Sequence, residues 1–184
     1  MNSLTEKQIE REEIYDGKVL RIVRDKIELP DGRHAFREMC LHVGAVAVIP
    51  LLDDGRVIME RQYRYAHGRV FFEIPAGKLD SPDEDPLSAA ARELKEETGA
   101  VAKTYTFLGE IDTTPALMNE KIYLYLAEDI EFKDSKLDED EFLEVEYTPL
   151  SELYRMVTEG EIKDAKTQIA ILKAWNLRGD KIPM

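Results

Sequence analysis

The chain is poor in the residues that staple, ligate or anchor. It holds one cysteine, Cys40, in 184 residues, so no disulfide can form within it. Cys40 stands in an apolar stretch and is expected as a small buried side chain. The three histidines, His34, His42 and His67, show no metal-ligand spacing and read as structural or exposed. No apolar run approaches the roughly 18 residues of a membrane span, and no cationic leader followed by an apolar run opens the sequence. Positive charge is scarce as well: 25 Lys and Arg against 38 Asp and Glu leave a net charge of −13. A surface of that sign is a poor holder of nucleic-acid phosphates. A cytoplasmic protein with neither membrane nor nucleic-acid partner is therefore expected. Small anionic substrates stay open to it, provided metal cations neutralise the site locally.

What is present is enough for a real core. With 43% hydrophobic residues the chain reads as one domain, or one domain with a small appendage, and needs no staples. No internal repeat or low-complexity linker divides it. Residues 1–8 are polar and expected to be loose. From Glu10 to Cys40 the pattern is strand-like, with a Pro-Asp-Gly turn at 30–32. "HVGAVAVIPLL" is an unbroken apolar run and predicts a buried central strand. "RVIMERQYR" predicts another strand, and further strands are expected near 105–112, 121–128 and in "EFLEVEYTPL". Two helices close the chain, from about Pro149 to Glu159 and from about Asp164 to Leu177. The second is expected to pack through Ile169, Leu172 and Trp175. Strands around one early and two late helices predict an α/β fold, a mixed sheet sandwiched by helices, with an antiparallel β appendage at the N-terminus.

The clearest helix carries the chemistry. Asp85 suits its N-cap, Pro86 its first turn and Gly99 its C-terminal stop. Within "ARELKEETGA", Glu93, Glu96 and Glu97 fall in an arc of roughly 100°, beside a packing stripe of Leu87, Ala90, Ala91 and Leu94. Like charges at such spacings repel by a few tenths of a kcal/mol per pair. Either water solvates this face or a cation offsets the repulsion. Three details favour the cation. Ala89, Ala90 and Ala91 allow close approach of other backbone, Arg92 can be bonded by Glu84 from the preceding loop, and "IPAGKL" offers a glycine turn facing the carboxylates. Hard divalent cations take oxygen ligands of this kind.

"GKLDSPDEDPLSAAARELKEETGA" resembles the Nudix box, G-x5-E-x7-R-E-U-x-E-E-x-G-U, through Gly77, Glu84, Arg92, Glu93, Leu94, Glu96, Glu97, Gly99 and Ala100. It departs once: six residues, not five, separate Gly77 from Glu84, which reads as a one-residue insertion in the loop. "RQYR", "EIPAGKL", "LDEDEFLEVEYTPL" and "DAKTQIAIL" extend the resemblance to the ADP-ribose pyrophosphatase branch of Nudix hydrolases. So does Pro115, 15 residues after Ala100, although Ala116 follows where that branch more often has glycine.

The resemblance implies an α/β/α Nudix sandwich over residues 43–184 and a β-strand region over 1–42 that forms a homodimer. It implies Mg²⁺-dependent hydrolysis of the pyrophosphate bond of ADP-ribose to AMP and ribose 5-phosphate, with Mn²⁺ as an alternative ion. Another nucleotide sugar as substrate, or a non-catalytic nucleotide-binding module, are the competing readings. By motif position Glu93, Glu96 and Glu97 would hold the metal, with the Ala76 carbonyl as a backbone ligand; Glu84, Arg92 and Gly77 would shape and orient that loop and helix. The general base would come from residues 136–144, Glu141 first and Glu139 as the alternative, with Glu97 also counted among the catalytic groups. Arg64 and Arg37 are candidates for the diphosphate or terminal ribose, or ordinary strand-edge arginines. Glu73 would contact a ribose hydroxyl or pair with an arginine, and Pro115 would line the substrate. Phe36, Tyr63 and Phe72 could stack on adenine or belong to the core.

Overall fold

The computed structural model describes residues 4–134 and 142–179. It divides into two compact units, one of residues up to Gly44 together with Asp112–Lys121, the other of Ala45–Ile111 and the chain from Ile122 onward.

The first unit is built on an antiparallel meander of β1 (Lys7–Asp16), β2 (Arg21–Glu28) and β3 (His34–Leu41), with β2 in the middle. β1 starts within the stretch expected to be loose. The period of two puts Val23, Asp25 and Ile27 on one face of β2, all buried. The buried Asp25 is held by both nitrogens of an Arg11 fork at 2.7 Å. That hydrogen-bonded fork, against the opposing cost of burial, sets the Asp25 carboxyl below its ordinary range. Cys40 is only half-buried, because its strand pairs at its end with Met118 and does not enter an apolar core.

The second unit has β4 (Ala45–Pro50) at its centre, buried along its whole length. β4 runs parallel to β9 (Lys121–Phe132) and antiparallel to β7 (Ala76–Lys78); β8 (Ala100–Asp112) completes the mixed order β7-β4-β9-β8. The remaining strands, β5 (Arg56–Arg64), β6 (Arg69–Glu73) and β10 (Leu143–Pro149), form a separate antiparallel sheet ordered β10-β5-β6. The mixed sheet expected from the sequence is the one around β4, and the antiparallel sheet stands apart from it.

Helices cover both faces of β4, which is why its sequence is apolar without alternation. Val46 and Val48 pack with Ala89, Ala90 and Leu94 of α1 (Pro86–Thr98). Ala45, Ala47 and Ile49 pack into the opposite cluster. That cluster holds Leu150 and Leu153 of α2 (Leu150–Thr158) and Ala170, Ile171 and Ala174 of α3 (Ala165–Arg178). The result is an α/β/α sandwich.

Two helix faces differ from the sequence expectation. α3 packs through Thr167, Ala170, Ile171 and Ala174, while Leu172 is 42% exposed and Ile169 and Trp175 only flank the core. The small alanines let the helix lie close to the sheet, and that contact selects the phase over the larger apolar side chains. On α1 the buried stripe is Ala89, Ala90, Leu94 and Glu97; Leu87 is exposed and Ala91 half-buried.

Candidate active site

α1 begins and ends as its sequence predicts. Asp85 accepts the Ser88 N–H at 2.9 Å, and Gly99 closes the helix at φ 72°, a left-handed conformation that glycine adopts without a Cβ penalty. These two caps fix the rotation of the carboxylate face between them.

The glutamates on that face differ in burial and in partners. Glu97 is 5% exposed, and its Oε2 accepts the Ala76 N–H at 3.1 Å. Glu93 lies directly against Gly77: a Cβ on that residue would overlap its carboxylate. This close approach, more than backbone freedom, explains a glycine at position 77. Glu96 is the most solvent-facing of the three.

Arg92 joins them. Its Nη1 donates to Glu93 at 2.8 Å and to Glu96 at 3.3 Å; its Nε and Nη2 reach Glu84 at 3.3 to 3.4 Å. Nη2 also donates to the Lys78 carbonyl. Arg92 is thus the shared donor of Glu84, Glu93 and Glu96. Burial opposes its charge, but Glu93, Glu84 and Asp80 together raise its pKa further above the ordinary arginine value. Glu84 Oε2 in turn accepts the Asp80 N–H at 2.6 Å. Glu84 thus ties the loop, through the Asp80 N–H, to Arg92 on the helix.

Among the described residues no group of three or more His, Cys, Asp or Glu side chains converges on one point. The donor set nonetheless fits a hard divalent cation. Glu93, Glu96 and Glu97 offer carboxylate oxygens, the donors such a cation takes, from one helix, and the Gly77 cradle brings Glu93 against the backbone beside Ala76. The contact Ala76 makes with Glu97 is through its N–H.

A second charged cluster lies in the same unit. Glu73, at the end of β6, is 3% exposed, and both its oxygens take the Arg64 fork at 2.8 and 3.0 Å. Lys166 donates to it at 2.5 Å and lies 3.1 Å from Asp164. Burial alone would raise the Glu73 carboxyl; the Arg64 hydrogen bonds and the Lys166 charge outweigh it and hold it below its ordinary range. The Arg64 pKa is raised, chiefly by its bond to Glu73 and also by the charges of Asp164 and Glu97. Arg64 thus sits within electrostatic reach of the carboxylate face. A cleft of about 400 Å³ opens here, lined by Tyr63, Arg64, His67, Phe71, Glu73 and Lys166. Of the two expectations for Glu73, the structure shows the arginine pair. Phe72 is half-buried with the Arg61 guanidinium 4.7 Å from its ring centre, and Tyr63 is exposed.

Arg37 and Pro115 belong to the first unit. Arg37 forks onto Glu6 and donates to the Phe36 carbonyl, and Pro115 is exposed on a turn closed by bonds from Leu117 and Met118 to the Thr114 carbonyl. Glu139 and Glu141 lie outside the described residues. Residue types and spacing alone did not single out Asp164, Lys166 and Thr167. The signal available for them was Asp-x-x-Thr at a helix start, an N-cap pattern.

Comparison with known proteins extends this geometry. Residues 41–169 match the model of the NUDIX domain, and residues 6–38 match that of the nucleoside diphosphate sugar hydrolase N-terminal domain. The chain is 43% identical to an ADP-ribose pyrophosphatase of Bacillus subtilis, over 93% of each chain. It is 40% identical to a methanol dehydrogenase activator of Bacillus methanolicus, over 90% of each. A crystal structure of an ADP compounds hydrolase superposes with a TM-score of 0.85 over 98% of both chains at 23% identity, a likeness of fold.

Proposed function

The chain belongs to the Nudix family, and from that premise we propose that it hydrolyses the pyrophosphate bond of ADP-ribose, yielding AMP and ribose 5-phosphate. The observation that carries this reading is the full set of box glutamates around one capped helix, with Arg92 bonding Glu84, Glu93 and Glu96 and the Ala76 N–H bonding Glu97, in a chain 43% identical to an ADP-ribose pyrophosphatase.

Nudix hydrolases generally need a divalent metal; here we assign Mg²⁺, with Mn²⁺ able to substitute, to Glu93, Glu96 and Glu97 with the Ala76 carbonyl. Such ions, when bound, neutralise phosphate oxygens and lower the pKa of water. The chain's own residues do the rest. Arg92, Glu84 and Gly77 keep the carboxylates oriented. Arg64, a fork already aligned by Glu73, binds diphosphate oxygens in a bidentate manner. Glu141, with Glu139 as the alternative, takes the proton from the attacking water.

Residues 1–42 we read as the dimer-forming region and 43–184 as the catalytic domain. β1 supports this: it is a ten-residue edge strand, exposed along its length, and it carries the apolar Ile9 and Ile14. Such an edge invites pairing with a second copy. A cytoplasmic location is consistent with the described residues, among which no helix is long and apolar enough to cross a membrane.

Incubation with ADP-ribose and Mg²⁺, with products separated by chromatography, tests the proposal. AMP and ribose 5-phosphate in equal amounts are expected. No cation-dependent cleavage of ADP-ribose overturns it, and preferential cleavage of another member of a nucleotide-sugar panel moves the substrate within the family.

A further inference from the structure

The first turn of α3 lies outside the reading above, yet contacts from it lead to both charged clusters. Asp164 Oδ2 accepts the Thr167 N–H at 3.0 Å and the Thr167 hydroxyl at 2.6 Å, which caps the helix. Thr167 is fully buried, and its Oγ1 accepts the N–H of Ile74 at 3.0 Å, from 93 residues away. Ile74 begins the short link from β6 to β7. The next residue, Pro75, has no N–H to give, and its carbonyl accepts from Val48 N at 2.9 Å. The residue after that is Ala76, whose N–H holds Glu97. The link Ile74–Pro75–Ala76 is therefore pinned at each residue, by α3, by β4 and by α1 in turn. One residue before Thr167, Lys166 grips Glu73, the carboxylate that aligns Arg64.

We propose that Thr167 and Lys166, on the first turn of α3, are positioning residues for the reaction: Thr167 sets the Ala76 amide that orients Glu97, and Lys166 sets Glu73, which orients Arg64. The proposal rests on the reading that Glu97 holds the cation and Arg64 the substrate. Its physical basis is that a buried N–H deprived of its acceptor must move or stay unsatisfied. Loss of the Thr167 hydroxyl releases Ile74 and leaves the link pinned at Pro75 and Ala76 only, so the Ala76 amide is held less firmly. Loss of Lys166 leaves that backbone pinned but frees one side of Glu73. The two residues, adjacent on one turn, thus govern different properties.

The test measures Mn²⁺ binding by calorimetry without substrate, and KM and kcat for ADP-ribose with Mg²⁺. Thr167→Val, which keeps the shape but not the hydroxyl, is expected to weaken Mn²⁺ binding about 10- to 100-fold, the range for contacts that orient metal ligands. Thr167→Ser restores it. Ile171→Val, a core change on the same helix face, lowers Tm and leaves Mn²⁺ affinity at the wild-type value. Lys166→Met raises KM about tenfold and leaves Mn²⁺ affinity unchanged. Wild-type Mn²⁺ affinity in folded Thr167→Val overturns the proposal, as does an equal loss in Ile171→Val, since that marks a general structural effect. If Thr167→Val does not fold, the Lys166→Met split decides: an unchanged KM overturns the proposal. A wild-type protein that binds Mn²⁺ in this pattern but leaves ADP-ribose intact sinks the substrate reading while the Thr167 assignment stands.

Discussion

The carboxylate face of α1 and the Glu73 cluster are both dense in charge, yet they close their accounts differently. On α1 one guanidinium, Arg92, serves Glu84, Glu93 and Glu96, while Glu97 beside them is held by a backbone N–H. Around Glu73 two cations, Arg64 and Lys166, face two carboxylates, Glu73 and Asp164. The second cluster is neutral within itself. The first gathers four carboxylates, Glu84, Glu93, Glu96 and Glu97, about one guanidinium, with the Arg64 charge also reaching Glu97. Buried or half-buried like charges are tolerated when a bound cation compensates them. The imbalance, more than the number of acidic residues, separates a place that receives cations from one that orients a side chain.

The largest expected effect strikes the unbalanced cluster. Glu97→Gln keeps the shape and an acceptor for the Ala76 N–H but removes a charge. Turnover should fall by roughly 10²–10³, as when a group that stabilises transition-state charge is lost, with the circular dichroism spectrum and Tm nearly unchanged. Near wild-type turnover would place the chemistry elsewhere. Gly77→Ala comes next. Its Cβ meets the Glu93 carboxylate, so Glu93 must swing away. The Mg²⁺ concentration for half-maximal activity should rise by about 10- to 100-fold, measured by titration of the rate.

Arg92→Gln sharpens the contrast. It removes the shared donor and leaves the carboxylates to repel, which should lower stability by about 1–3 kcal/mol without metal. Added Mg²⁺ should then raise Tm more in this variant than in the wild type, because the cation relieves repulsion that Arg92 had relieved. Lys166→Met should show no such extra gain. Equal Mg²⁺ gains in both variants would erase the distinction between the clusters.

The smallest effect is one of pH. The Glu73 carboxyl lies below its ordinary value when folded, so its folded pKa is below its unfolded one. Its contribution to stability is complete above the ordinary glutamate range, about pH 4.3. It is lost as pH falls through the lower folded value. Glu73→Gln should therefore flatten the acid limb of a Tm–pH curve below about pH 4 and leave the slope near neutrality unaltered. An unchanged acid limb would mean that Glu73 is not held by its two cations in solution.

How much of this was legible beforehand depends on the distance along the chain over which each contact acts. The α1 caps, Asp85 and Gly99, and the pairing of Arg92 with Glu84 eight residues earlier were readable, because one helical turn and its loop settle them. The double-sided apolar strand β4 was readable for the same reason. The packing face of α3 was not. Its largest apolar residues, Leu172 and Trp175, outweigh Ala170 and Ala174 in any count of hydrophobicity, but the alanines, with Ile171 beside them, form the face by which the helix approaches the sheet. That Arg92 also reaches Glu93 and Glu96 was not readable, since its angle on the helix says nothing of which way a long side chain bends.

From the sequence alone came the helix with its stops, the spacing of its glutamates and the strand that must lie between two layers. Each follows from local periodicity and capping, which act over a few residues. Only the tertiary structure decided that Ala76 holds Glu97 across 21 residues, that Lys166 and Thr167 reach Glu73 and Ile74 across 93, and that one cluster sets two cations against two carboxylates while the other gathers its carboxylates about one guanidinium. Those partners are chosen by how close the sheet and helices bring distant backbone, and no spacing along the chain encodes that closeness.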